Sequence, residues 1–89
     1  MQQAPASAAE QYNLGLMEAR AGNLDAAIRA YEKSAELGPS GGRALASAAM
    51  IRYQRGDYTG AWKSIKAARA ANFEPPSSLL TALKRKQPE

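Results

Sequence analysis

Two residue types that carry much of protein chemistry are missing from this chain: it has no cysteine and no histidine. Without cysteine, neither a disulfide nor a thiolate metal site can supplement the hydrophobic core. Without histidine, the commonest general base and the commonest metal ligand are gone. A serine nucleophile would then need a lysine or a carboxylate as its base. Ser34, Ser47 and Ser64 stand inside helical patterns with no such motif around them, and no Gly-x-Ser-x-Gly elbow occurs. No run of Asp, Glu and Asn has calcium-loop spacing. Glu32 and Glu36 lie four apart on one helical face, the pattern of solvated surface. The glycines between 38 and 42 follow a helical stretch, not a strand, and no Gly-Lys-Ser/Thr comes after them, so they read as a linker rather than a phosphate loop. The expectation is therefore no catalytic residue, no metal site, no cofactor and no enzyme.

Long apolar runs are missing too. Nothing approaches the 18 or so residues that a membrane helix needs, and the N-terminus lacks a basic region followed by an apolar one. At 89 residues the chain is one small domain, expected to bury only about 60–65% of its unfolded surface. Met1-Gln2-Gln3-Ala4-Pro5-Ala6-Ser7 has the composition of tethers that separate an anchor or signal from a folded domain. That favours the periplasm or cell envelope over the cytoplasm, while an ordinary frayed N-terminus is the other reading.

What is present is a repeat. The stretch Gly22-Asn23-Leu24-Asp25-Ala26-Ala27-Ile28-Arg29-Ala30-Tyr31 recurs further along as Gly56-Asp57-Tyr58-Thr59-Gly60-Ala61-Trp62-Lys63-Ser64-Ile65. A fixed period of about 34 residues, the offset from Gly22 to Gly56, marks stacked helix-turn-helix units. Leu14-Gly15, the pair Ala27-x-x-x-Tyr31 and Pro39 stand at the positions of the unit's signature. On these residues the chain resembles the tetratricopeptide repeat (TPR) family over residues 8–75. It departs from the pattern at Gln11 and Glu18, where Trp and Tyr are common, and at Ala48-Ala49, which replaces Leu-Gly. The resemblance implies an all-α fold: a right-handed helix-turn-helix solenoid of two units, four helices, closed by a fifth capping helix.

Residues 1–7 form a flexible lead, 8–41 the first repeat, 42–75 the second, and 76–89 the capping helix and tail. Ser7 with Glu10 three places on has capping-box spacing, which starts a helix over 8–21 that Gly22 ends. Asn23 is placed to cap a helix over 24–37. Gly38-Pro39-Ser40-Gly41-Gly42 reads as a break. A third helix spans 43–55 and is ended by Gly56, and Asp57 caps a fourth that reaches 71. Pro75-Pro76 breaks the chain again, and a last helix runs from Ser77 or Ser78 to about residue 86. Its Leu79 and Leu83 point inward and Lys84, Arg85 and Lys86 outward, as a solenoid end requires. The small residues Ala27 and Ala61 mark helix crossings, and Leu14, Leu24, Ile28, Tyr31, Leu45, Ile51, Tyr58, Trp62 and Ile65 are the expected bulky core.

In the TPR family the first helix of each unit lines a concave groove. Carried over to this sequence, the resemblance implies a partner-binding groove of Tyr12, Asn13, Leu16, Arg20, Arg43, Ser47, Met50, Tyr53 and Gln54, flanked by Ala9, Ala19, Ala46, Leu80 and Lys84. The family's clamp for a C-terminal carboxylate is not matched, since its positions read Tyr12, Leu16, Ser47, Ser77 and Thr81. The function implied is a protein–protein adaptor or scaffold that binds a peptide or helix of a partner, in a bacterial envelope, secretion or pilus assembly system. Tyr12 and Tyr53 closing the inner face of a short superhelix is the structural alternative.

Charge opens two more alternatives. Residues 1–41 carry three basic side chains against five acidic ones, a net of −2, and residues 42–89 carry nine against three, a net of +6. Arg43, Arg52, Arg55, Lys63, Lys66, Arg69, Lys84, Arg85 and Lys86 are therefore candidates for a nucleic-acid contact. Self-association is the other, the chain being a monomer or a weak dimer, because a two-unit solenoid exposes both its ends.

Overall fold

A computed structural model describes residues 7–38 and 41–88. Five helices follow in order: α1 (Ala8–Arg20), α2 (Leu24–Leu37), α3 (Gly41–Gln54), α4 (Tyr58–Ala70) and α5 (Ser77–Lys86), and there is no strand among the described residues. The expected flexibility of residues 1–6, and Pro39 of the repeat signature, lie outside the described residues.

Local chemistry sets most helix ends. Ser7 closes a capping box on α1: its hydroxyl accepts from the Glu10 N–H at 3.1 Å, and Glu10 Oε1 accepts from the Ser7 N–H at 2.9 Å. Gly22 and Gly56 adopt φ of +85° and +87°, a region closed to most side chains, and so turn α1 into α2 and α3 into α4. Asp57 caps α4, its Oδ1 accepting from the Gly60 N–H at 2.9 Å. Asn23, in the same register at α2, makes no capping bond. Its amide donates backward to Glu18 Oε1 at 2.9 Å instead, so the expected cap is replaced by a brace across the turn.

The break expected over residues 38–42 is shorter than its composition suggests. Gly41 and Gly42 are buried and belong to the first turn of α3. A side chain at Gly41 would lie 2.9 Å from the Ala35 carbonyl oxygen, and one at Gly42 would collide with Phe73. These two glycines serve close packing rather than a flexible link.

The helices pack as consecutive neighbours, α1 on α2, α2 on α3 and α3 on α4. The core falls into two clusters. In the first, Ala27, Ile28 and Tyr31 of α2 meet Ala44, Ala48 and Ile51 of α3. In the second, Ala61, Trp62 and Ile65 of α4 meet Leu79 and Leu83 of α5, with Ala49 of α3. The α4 trio stands one repeat period after the α2 trio. The stacking contact is thus made twice from the same positions. Ala27 and Ala61 are completely buried, as expected of helix crossings. Gly15 is buried in α1 because the Tyr31 ring lies across it: a Cβ there would sit 2.6 Å from Tyr31 Cε1. Ser34 ties the start of α1 to α2 by donating to the Ala8 carbonyl at 2.7 Å.

Leu14 does not join the core. It is 41% exposed, and Met17, one turn on, is 65% exposed. Both lie on the side of α1 that carries no further helix among the described residues. At the other end α5 closes the stack. Leu79 and Leu83 are buried, Lys84, Arg85 and Lys86 are exposed, and the Trp62 indole N–H donates to the Gln87 carbonyl at 2.7 Å. The result is an elongated slab, 51 × 28 × 17 Å. Among the described residues no helix is long and apolar enough to cross a membrane.

Candidate functional site: the α1–α3 groove

α1 and α3 run along one face, and three shallow hollows lie between them and along their edges. The first, about 180 Å³, is lined by Tyr12, Arg43, Ala46, Ser47, Met50, Phe73 and Pro76. The second, about 300 Å³, lies between Leu16, Ala19 and Arg20 of α1 and Ser47, Met50, Ile51 and Gln54 of α3, with Tyr31 at its floor. A third, about 160 Å³, is formed by Ala8, Ala9, Tyr12, Asn13 and Arg43. Tyr12 and Arg43 are shared by the first and third, Ser47 and Met50 by the first and second. The hollows are therefore one groove with common walls.

Helical spacing explains the set. Tyr12, Leu16 and Ala19 recur at three- and four-residue steps on α1, and Arg43, Ser47, Met50 and Gln54 do so on α3, so each row stays on one face. The rows are joined across the groove by the Tyr12 hydroxyl and Ser47 Oγ, 3.3 Å apart. The Tyr12 ring meets Tyr31 below it at a centroid distance of 5.4 Å and a tilt of 54°. Above it stands Arg43, its guanidinium carbon 5.1 Å from the ring centroid, a cation–π contact. Burial pushes the Tyr31 hydroxyl above its ordinary ionisation range. Neighbouring Tyr12 adds to the shift and Arg20 opposes it.

Electrostatically the groove has one sign. Arg20 and Arg43 are the charged side chains that line the three hollows, and no carboxylate does so among the described residues. Met50 is 38% exposed, an adaptable apolar surface beside those cations.

Of the residues the sequence pointed to, Tyr12, Asn13, Leu16, Arg20, Arg43, Ser47, Met50 and Gln54 are brought together here. Tyr53 is not. It faces the second cluster and meets the Tyr58 ring at 5.7 Å. Leu80 likewise packs on that cluster instead of the groove. Sequence reasoning missed Phe73 and Pro76, which reach the first hollow from the connection after α4. The available signal was Gly42, whose missing side chain makes room for Phe73.

Three of the arginines in the basic half are paired with carboxylates. Arg52 bridges Glu32 at 2.8 Å and Asp57 at 3.4 Å, Arg55 pairs with Asp25, and Arg69 with Glu74 at 3.4 Å. Among the described residues no three His, Cys, Asp or Glu side chains cluster as a metal site would need.

Comparison with known proteins gives one finding. A family model described as tetratricopeptide repeat matches residues 2–42 and 12–75. No curated protein and no solved structure matches the chain.

Proposed function

Since the chain belongs to the tetratricopeptide repeat family, whose repeats mediate protein–protein interaction, we propose that it is an adaptor or scaffold that holds a segment of a partner protein in the α1–α3 groove. The segment is an extended peptide or one face of a helix, carrying apolar side chains next to carboxylates. One observation carries this reading: a continuous, partly apolar groove whose lining includes Arg20 and Arg43 and no acidic residue among those described. Apolar anchors supply most of the affinity in such contacts, and complementary charge supplies register and selectivity. A place in a bacterial envelope, secretion or pilus assembly system belongs to the same proposal, supported by the Gln/Ala/Pro/Ser composition of residues 1–7.

Selection from a random peptide library tests it. Enriched sequences should combine Asp or Glu with Leu, Phe or Met, and a chain carrying Arg20→Glu and Arg43→Glu should lose them by tenfold or more, about 1.4 kcal/mol per tenfold. Both arginines are exposed, so the helical circular dichroism should not change. A library that yields no consensus, or one indifferent to the charge reversal, would sink the reading.

A further inference from the structure

The repeat period says what the exposed side of α1 is built to meet. One period after Glu10, Leu14 and Met17 stand Ala44, Ala48 and Ile51. Those three form the side of α3 that α2 covers, and they are 0%, 0% and 6% exposed. On α5, Leu79 and Leu83 occupy the matching places one position further along and are covered by α4. In this chain a first-helix face is thus covered twice by the second helix of the preceding unit. On α1 the same face is covered by no helix among the described residues, with Leu14 41% and Met17 65% exposed.

Charge selects which second helix fits it. Where α3 meets α2, Arg52 pairs with Glu32 at 2.8 Å. The position of Arg52, carried back by one period, is Glu18, so the same contact on α1 requires a cation opposite. α2 offers Glu32 there and would repel. α4 offers Lys66, one period after Glu32, which is exposed and has no salt bridge among the described residues. The contact is rebuilt with its signs exchanged.

We propose that α1 of one copy docks on α4 of a second copy, in exchange with α5, so that Leu14 takes the place of Leu83, Met17 follows one turn on where α5 has Lys86, Glu10 falls at the place of Leu79, and Glu18 meets the second copy's Lys66. α5 is suited to exchange. It is the shortest described helix, at ten residues, and its N-cap Pro76 makes no side-chain bond. Its last turn sets Lys84, Arg85 and Lys86 on a half that already holds Lys63 and Lys66. While attached, α5 competes at the high effective concentration of a tethered segment, roughly millimolar, and keeps the chain closed. Once α5 leaves, the contact is head-to-tail and does not close on itself, so copies add one after another. The surface is separate from the groove.

Leu83→Asp places a charge in the fully buried contact of α5 and frees α4. In sedimentation equilibrium this variant should show an average mass that rises with concentration, and adding Met17→Glu should return it to a single species of 9.5 kDa. A folded variant that stays monomeric overturns the proposal, and so does association that Met17→Glu leaves untouched. If circular dichroism shows Leu83→Asp to be unfolded, chains carrying the milder Leu83→Ala, which loosens α5 without burying a charge, decide the question. One carrying Glu18→Cys and one carrying Lys66→Cys are mixed and oxidised, the chain having no cysteine of its own. Head-to-tail pairing gives mixed cross-links in roughly tenfold excess over either self-linked product, whereas a merely statistical mixture overturns it.

Discussion

Gly15 and Tyr31 show how little freedom individual positions have in so small a core. The Tyr31 ring rests on the backbone of α1, and nothing larger than hydrogen fits between them. Gly15→Ala should therefore cost about 1–3 kcal/mol by overpacking, although alanine is the better helix former by up to about 1 kcal/mol. Thermal unfolding checks this: a midpoint unchanged or raised would mean that the ring moves aside freely. At the same scale lies the reason Leu14 was expected inside. Hydrophobicity tells which residues want cover, and a period tells which face they share. Neither tells whether the covering helix belongs to the same chain.

Among the elements, the two interhelix turns were legible because their requirement is local. A positive φ needs glycine, and Gly22 and Gly56 recur at the period. The beginning of α3 was not legible, since Gly41 and Gly42 signal a break by composition and become helical only because Ala35, Ala68 and Phe73 close around them. The groove rows followed from the register of α1 and α3. Tyr53 left its row because Tyr58, just past the turn, offers it a ring, and Phe73 and Pro76 enter from a connection that helical periodicity does not describe. The N-caps make a direct test at this scale. Asp57→Ala removes a bond to the Gly60 N–H and should cost about 0.5–2 kcal/mol. Asn23→Ala removes only the exposed brace to Glu18 and should cost clearly less. Equal losses in denaturant titrations would show that the geometry at Asn23 does not matter as described.

As a whole the molecule is two copies of one packing contact in series, linked through α3. Ala49 faces the second cluster while Ala44, Ala48 and Ile51 face the first, so neither cluster persists without the helix they share. A domain this small should unfold in a single transition. The only tryptophan, Trp62, belongs to the second cluster. Gly15→Ala, which disturbs the other end, should nevertheless shift the midpoint seen by Trp62 fluorescence as far as that seen by helical circular dichroism. A fluorescence midpoint that stays in place would mean that the halves melt independently. The slab outline also matters for how the particle moves. A body three times as long as it is thick, 51 against 17 Å, drags more solvent than a sphere of its mass. It should elute early from a sizing column, as a heavier globule would, so its copy number is safely read only from scattering or sedimentation equilibrium, where shape drops out.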